Sequence, residues 1–275
     1  MASTEQRVKL VKSESERIQQ FLGALSSEAL TQPSACDRWE VRDVVAHLTG
    51  AVDLFAGNIT RGVNGDSSPP EGFPPPSAAA LAARMEAGAQ RAITLRESMG
   101  DQLLTTFAGR CQDLNQLLAG LDAGDWEKPC YHPAAVIPVR SYIDLRLAEL
   151  AVHEWDIRSN LEASAHLSVE CLPALMDLIP AFVVGRLFRP GSKLSTAARY
   201  RFELTGELPG RHDIVVENGD SSMEPAGTSP ASATFKCDTE TFALLAYGRT
   251  TVEKAESEGR MTVEGDRELV SQFGG

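Results

Sequence analysis

The chain has 275 residues, 43% hydrophobic and 23% charged, so it is long enough for one large domain or two modest ones and is not expected to be disordered. Its 38 acidic and 26 basic residues give a formal net charge of −12. That balance argues against binding nucleic acid or an anionic membrane surface through bulk charge. We therefore expect neither partner.

The sequence also indicates a cellular location. The N-terminal residues contain no apolar stretch long enough for a signal peptide, and no window approaches the roughly 20 apolar residues of a membrane helix. We therefore expect a cytoplasmic protein. The five cysteines are odd in number, far apart and without a CxxC spacing, which favours reduced thiols over a disulfide framework or a cysteine-based zinc site.

Helical periodicity dominates the first part of the chain. The predicted helical segments span residues 3–25, 41–61, 78–121 and 139–161. Asp37, three residues before Glu40, predicts a capping box at the start of the second segment. Gly100 predicts a break in the third segment, because an interior glycine costs a helix about 1 kcal/mol relative to alanine. Residues 62–76, rich in Gly, Ser and Pro, predict a long surface crossover, and residues 124–138 a loop.

The pattern changes towards the C-terminus. The apolar segment 169–188 contains Pro173 and Pro180, which predicts one bent helix or two short ones. Polar and apolar residues then alternate, which indicates strands. The predicted strands are 199–205, 212–218, 231–237 and 260–264, with helices at 239–247 and 266–273. We therefore predict an α+β chain of two domains, with a helical bundle over residues 1–190 and a smaller α+β domain over residues 191–275.

Three polar residues interrupt otherwise apolar helical segments. His47 follows Val44-Val45-Ala46, and Glu149 and His153 lie within Leu147-Ala-Glu-Leu-Ala-Val-His. The spacing of four places Glu149 and His153 on one helical face. With His47 from a facing helix they form a His₂Glu set, which suits a divalent metal with a position left open for water or substrate. From spacing alone two other interpretations stay open: the Glu–His pair lies on a solvated helix face, and His47 is a hydrogen-bonded core residue.

Longer motifs carry a resemblance to a known family. Trp39, Asp43 and His47-Leu48 form a W-x₃-D-x₃-HL pattern, and Glu149, His153 and Asp156 form E-x₃-H-x₂-D. Together with Gly248-Arg249 and the later segment 259–266, these patterns are similar to the mycothiol-dependent maleylpyruvate isomerase family. The resemblance covers nearly the full length of the chain.

The resemblance implies a fold and a metal site. It implies an N-terminal DinB-like four-helix bundle that binds zinc or a similar divalent ion through His47, Glu149 and His153. It also implies a small C-terminal α+β domain related to sterol carrier proteins. Within that domain Arg249 is the best match to the family's functional arginine. The Pro-rich segment 66–76 and the extended third helical region depart from the family pattern.

These observations lead to a functional prediction. We expect a divalent-metal-dependent enzyme, active as a monomer or weak dimer, that uses a low-molecular-weight thiol on an electrophilic substrate, either as a maleylpyruvate-type isomerase or as a thiol transferase. Arg249 and Arg146 are the candidate catalytic residues, because arginine binds carboxylates through charge-assisted hydrogen bonds. An alternative for Arg249 is capping of the helix that ends near Tyr247. Two alternative functions are a metal-dependent hydrolase and a non-catalytic ligand-binding protein with a structural metal.

Overall fold

The computed structural model describes residues 3–36, 38–162, 164–189, 192–194 and 196–273. The chain divides into two units, Met1–Ala165 and His166–Gly275. Within the described residues, no helix is long and apolar enough to cross a membrane.

The N-terminal unit is helical, as predicted. Its helices are α1 (Thr4–Gly23), α2 (Ser27–Leu30), α3 (Val41–Val63), α4 (Ala78–Glu86), α5 (Gly88–Met99), α6 (Leu103–Ala119) and α7 (Ser141–Arg158). The four long helices α1, α3, α6 and α7 pack against one another and form the bundle. Their apolar faces supply its core; the valines and leucine beside His47 on α3, for example, are fully buried. The predicted four-helix bundle is therefore confirmed.

Two helix boundaries show how local sequence shapes this unit. Asp37, expected as the cap of α3, lies outside the described residues. The N-cap of α3 is Glu40, whose backbone N–H donates to the Asp43 carboxylate at 3.0 Å. The predicted break at Gly100 is confirmed: this glycine has a φ of +50° and begins the 3₁₀ turn (Gly100–Gln102) that separates α5 from α6. A residue with a side chain rarely adopts that conformation.

The segment predicted as a loop before α7 contains a short antiparallel hairpin. Its strands are β1 (Pro129–Tyr131) and β2 (Val136–Pro138), with Cys130 opposite Ile137. Three-residue strands are too short to show an alternating pattern, so periodicity could not predict them. The hairpin matters for the site because Cys130 and Tyr131 are buried against α3.

The C-terminal unit is a five-stranded sheet with short helices. The strands are β3 (Ala198–Thr205), β4 (Gly210–Glu217), β5 (Asp220–Pro225), β6 (Ala233–Asp238) and β7 (Met261–Gly265). Their order is β5-β4-β3-β6-β7, with β3 and β6 parallel and all other pairs antiparallel. The helices are α8 (Leu172–Leu178), α9 (Thr239–Ala246), α10 (Val252–Ser257) and α11 (Arg267–Val270). Strand β5 and helix α10 were not predicted, because β5 is mostly polar and exposed and α10 has only six residues.

The division between the units differs from the predicted boundary near residue 190. Residues Pro190 and Gly191 themselves lie outside the described part of the chain. Three short elements precede them: helix α8, a π-helical turn (Ile179–Val183) and a 3₁₀ turn (Val184–Leu187). Pro173 and Pro180 therefore interrupt the helical pattern, as predicted. Ile179, Leu187 and Phe188 belong to the apolar core of the sheet. This packing places the segment after His166 with the C-terminal unit.

Candidate functional site

The three side chains predicted to form a metal set converge in the N-terminal unit. His47 lies on α3, and Glu149 and His153 lie one turn apart on α7, which packs against α3. His47 Nε2 is 3.0 Å from Glu149 Oε2, and His153 Nε2 is 3.5 Å from the same oxygen. One nitrogen or oxygen atom from each of the three residues lies within 4.8 Å of the others.

The bundle explains why these atoms meet. Val44, Val45 and Leu48 are fully buried and fix the rotation of α3 about its axis. The i, i+4 spacing on α7 stacks Glu149 and His153 on one face. The side chains of His47 and Glu149 remain 28% and 31% exposed, and that of His153 is 11% exposed. The cluster is therefore open to solvent on the His47 and Glu149 side and closed behind His153.

Asp156 determines which nitrogen of His153 is free. Its Oδ2 lies 2.8 Å from His153 Nδ1, and the residue is fully buried. An ionised carboxylate only accepts hydrogen bonds, so we assign the ring proton to Nδ1. The Nε2 atom then directs a lone pair towards Glu149 Oε2, which also carries lone pairs. Two acceptors 3.5 Å apart repel each other; a bound cation would relieve that repulsion, as would a proton on His47 Nε2, which lies 3.0 Å from the same oxygen.

The charge states at the cluster suit metal binding. Burial raises the pKa of Glu149, but the neighbouring His47, His153 and Arg146 more than offset that effect and hold the pKa at about 2. Burial lowers the pKa of His153, although Asp156 acts in the opposite direction. Glu149 is therefore ionised and His153 neutral at neutral pH, and these are the forms in which the two side chains bind metals.

The donor set fits a divalent transition ion. Two imidazole nitrogens and one carboxylate oxygen are ligands that zinc and its neighbours accept, and three protein ligands leave room for a further one. Asp156 supports His153 in the way that carboxylates commonly support metal-bound imidazoles.

Cys36 was not predicted as a site residue. Its thiol donates to Asp156 Oδ2 at 3.0 Å, and its Sγ lies 3.9 Å from His153 Nδ1. Cys36, His153 and Asp156 form a second group with metal-ligand distances, which shares His153 with the first. The side chain comes from the chain segment before α3, over one hundred residues from His153, so no sequence spacing could have indicated it.

Trp39 forms an aromatic wall beside the cluster. Its ring centroid lies 5.1 Å from that of His47 and 6.2 Å from that of His153. Its indole N–H donates to the Ala89 carbonyl at 3.4 Å, which ties the wall to α5. Asp43, the other residue of the first motif, is buried and pairs with Arg96 of α5 at 2.7 Å. The motif therefore combines one candidate ligand with two residues that hold α3 and α5 together.

The two arginines expected to be catalytic lie in different environments. Arg146 is 1% exposed and lies one turn before Glu149; its Nη2 donates to Cys111 Sγ at 3.3 Å. Its Nε and Nη1 have no hydrogen-bond partner among the described residues. Arg249 belongs to the C-terminal unit, follows Gly248 (φ +71°), and donates from Nη1 to the Tyr247 carbonyl at 2.7 Å. That bond caps the end of α9, as the alternative interpretation expects.

Comparisons with known proteins identify the families that the two parts of the chain match. Residues 11–158 match the family described as the mycothiol maleylpyruvate isomerase N-terminal domain. Residues 192–275 match the SCP-2 sterol transfer family. A search of curated protein sequences finds no significant match.

Solved structures show the same fold. A crystal structure of a mycothiol-dependent maleylpyruvate isomerase is 14% identical in sequence, with a TM-score of 0.57 and coverage of 90% of both chains. A mutant structure of such an isomerase is 13% identical, with a TM-score of 0.59 and coverage of 96% of this chain and 93% of that one. At such identities the likeness shows the fold alone.

The helical bundle and the sheet define a protein of two parts. The bundle is of the maleylpyruvate isomerase type, and the sheet is of the sterol carrier type. The match to the mycothiol maleylpyruvate isomerase N-terminal domain family covers residues 11–158, which is more than half of this chain, so the chain belongs to that family. The predicted family resemblance and fold class are thereby confirmed.

Proposed function

We propose that this protein is a divalent-metal-dependent enzyme that uses a low-molecular-weight thiol on an electrophilic substrate, as a cis–trans isomerase of the maleylpyruvate type. The observation that carries the proposal is the convergence of His47 Nε2, His153 Nε2 and Glu149 Oε2 at one partly exposed point. Family membership and the shared fold supply the reaction class.

His47, Glu149 and His153 would hold the ion, for which zinc is the expected identity. When bound, such an ion lowers the pKa of a thiol that binds to it, so that the thiolate forms at neutral pH. The Asp156 carboxylate keeps the proton of His153 on Nδ1 and leaves Nε2 free. Trp39 covers one side of the cluster with its aromatic ring.

The arginines supply positive charge. Arg146, buried one turn from Glu149, helps to keep that carboxylate ionised. Arg249 is the second candidate catalytic residue, since its guanidinium suits an anionic group of the thiol or of the substrate. In the isomerase reaction the thiolate adds to a conjugated double bond, rotation about the resulting single bond follows, and elimination of the same thiolate gives the trans product. Thiol is therefore regenerated, and no net oxidation occurs.

A binding protein without catalysis is the second candidate. The match of residues 192–275 to the SCP-2 sterol transfer family favours binding of a small molecule by the C-terminal unit. Structural zinc sites normally have four protein ligands, whereas His47, Glu149 and His153 supply three. That open position favours the enzyme.

Metal analysis combined with a thiol-dependent assay tests the proposal. The purified full-length chain should hold about one divalent ion, and it should isomerise maleylpyruvate only when mycothiol or another small thiol is present. His47→Ala, Glu149→Gln and His153→Ala should each lose most of the metal and the activity. His166→Ala is the matched control, because this exposed histidine pairs with Glu240 in the other unit.

The product and the thiol requirement separate the alternatives. Release of a stable thiol adduct would assign a transferase, and turnover without thiol would assign a hydrolase. Full metal content in all three ligand variants would refute the metal site. Metal content without any turnover across a panel of thiols and electrophiles would favour the binding protein.

A further inference from the structure

A cavity of about 340 Å³ lies in the N-terminal unit, lined by residues of α4, α5, the segment before α4 and the β1–β2 hairpin. Its lining residues are Gly72, Phe73, Pro74, Ala80, Ala83, Arg84, Arg91, Tyr131 and Pro133. Two hydrogen bonds hold its walls together: the Tyr131 hydroxyl donates to the Pro74 carbonyl, and the Ser77 N–H donates to the Pro133 carbonyl, both at 2.9 Å. The volume is in the range of small-molecule sites.

Both charged residues of this lining are arginines. The Arg84 guanidinium is half-buried and lies 5.2 Å from the centre of the Phe73 ring. Among the described residues it has neither an ion pair nor a hydrogen-bond acceptor. Arg91 donates to the backbone carbonyl of Arg84, and both residues line the cavity. Burial lowers the pKa of Arg84, and the positive charge of Arg91 lowers it further.

Two neighbouring guanidinium groups without an acidic partner are electrostatically unfavourable. Most other arginines of this unit are paired; Arg7, Arg17, Arg96 and Arg110, for example, each contact a carboxylate. Arg84 has no such partner among the described residues and lines a cavity. An anion that enters the cavity would relieve the repulsion and accept charge-assisted hydrogen bonds.

We propose that this cavity binds a carboxylate group of the electrophilic substrate, with Arg84 as the principal anion-binding residue and Arg91 beside it. The remaining lining consists of aromatic residues, prolines, alanines and one glycine, which suits the planar apolar body of a conjugated acid and offers few partners to a polar thiol. The assignment of the anion to the electrophile rests on the proposed function. The anion site itself rests only on the cavity and its arginines.

The cavity and the metal set are electrostatically connected. The Glu149 carboxylate is one of the charges that act on Arg84, and both groups act on His132 of the hairpin. The two arginines would determine which electrophiles bind, namely those with a carboxylate at one end.

Calorimetric titration of malonate into the metal-loaded full-length protein tests the anion site. We expect one malonate per chain, no binding of dimethyl malonate, and weaker binding as salt rises. Arg84→Gln should weaken binding at least tenfold, and Arg91→Gln by a smaller factor. Arg84→Lys should retain part of the affinity, since it keeps the charge. Arg110→Gln, which removes the partner of Asp53 on the surface of the same unit, should leave binding unchanged.

Two further experiments test whether the arginines or the metal bind the anion, and whether the anion belongs to the electrophile or to the thiol. The Glu149→Gln variant should still bind malonate, and adding Arg84→Gln to it should weaken that binding. If Glu149→Gln loses malonate binding while Arg84→Gln retains it, the metal binds the anion and the proposal is overturned. In steady-state assays Arg84→Gln should raise KM for the electrophile at least tenfold and leave KM for the thiol unchanged. The opposite pattern would overturn the assignment to the electrophile. Malonate binding that stays intact in a protein without thiol-dependent turnover would refute the proposed function alone.

Discussion

The hydrogen bond between His153 Nδ1 and Asp156 Oδ2, 2.8 Å long, links the candidate metal ligand to the buried interior of the N-terminal unit. Asp156 is fully buried and also accepts the Cys36 thiol hydrogen at 3.0 Å. Its own backbone carbonyl accepts the Ala35 N–H, so the residue also fixes the chain segment before α3. One aspartate oxygen thus orients both the imidazole and the thiol, whose Nδ1 and Sγ atoms lie 3.9 Å apart.

Asp156→Asn should weaken metal binding. An asparagine can present its amide N–H₂ to His153 Nδ1, which would move the ring proton to Nε2 and block the free lone pair. Loss of such a supporting carboxylate typically lowers metal affinity about 10–100-fold. Competition with a chromophoric chelator measures the affinity.

Asp144→Asn is the matched control for that experiment, because Asp144 lies on the same helix and pairs with Arg7 away from the cluster. Equal metal affinity in wild-type protein and Asp156→Asn would show that Asp156 has no role in orienting His153.

Arg146→Met should stabilise the protein while reducing its activity. The guanidinium is almost completely buried, and two of its three nitrogens have no partner among the described residues. A buried donor without a partner costs about 1–3 kcal/mol, which an apolar side chain of similar length avoids. We therefore expect the free energy of unfolding to rise by about 1–3 kcal/mol in urea titrations.

The same variant should lower kcat/KM in the thiol-dependent assay, because Arg146 helps to keep Glu149 ionised. Arg140→Met at the start of the same helix is a surface control, since Arg140 is exposed and pairs with Glu127. A large loss of stability in Arg146→Met would mean that the guanidinium has a structural role that outweighs its burial.

The metal set could be predicted from sequence because helical periodicity carries the information. Glu149 and His153 share a helical face by their spacing alone, and His47 interrupts a run of residues that the bundle buries. Cys36 and Arg84 could not be predicted in this way. Each lies on a segment whose position depends on tertiary contacts: Cys36 meets Asp156 across the bundle, and Arg84 meets Phe73 across the crossover.

The C-terminal unit shows the same limit of sequence patterns. The alternating strands β3 and β4 were predicted to within two residues, since one face of each is buried. The segment before Pro190 is apolar and helical, so its pattern resembles that of the bundle. Periodicity shows that such a segment buries a face but not which partner covers it. Its partner is the sheet core, where Phe188 of the segment contacts Phe273, and this packing becomes visible only in the structure.

Stability should fall below pH 6.5 because of His132. This side chain is 9% exposed, and burial lowers its pKa to about 4, with a further contribution from Arg84. Its Nδ1 accepts the Ala134 N–H at 3.2 Å, which requires the neutral ring. Between pH 6.5 and pH 4 the unfolded chain binds a proton that the folded chain does not. The contribution of neutral His132 to the free energy of unfolding is therefore complete above pH 6.5 and is lost as the pH falls towards 4.

The expected loss is about 3 kcal/mol, since one unit of pKa corresponds to about 1.36 kcal/mol. Urea titrations of wild-type protein and His132→Gln at pH 7, 5.5 and 4 measure it. The stability difference between the two proteins should shrink by about that amount over this range. His166→Gln, an exposed histidine of the other unit, should show no such change. A pH-independent difference between wild type and His132→Gln would contradict the assignment.

A C-terminal fragment that begins at residue 166 should fold, whereas one that begins at residue 191 should not. The shorter fragment lacks Ile179, Val183, Leu187 and Phe188, which are 0–6% exposed and belong to the core of the sheet. Burial of one such side chain contributes about 1.5–3 kcal/mol. Loss of four of them removes a sum comparable to the whole stability of a typical domain, about 5–15 kcal/mol. Loss of Phe188 also uncovers the ring of Phe273, whose centroid lies 4.7 Å away. Circular dichroism should show a cooperative thermal transition for residues 166–275 and none for residues 191–275. A cooperative transition at the same temperature in both fragments would restore the boundary near residue 190.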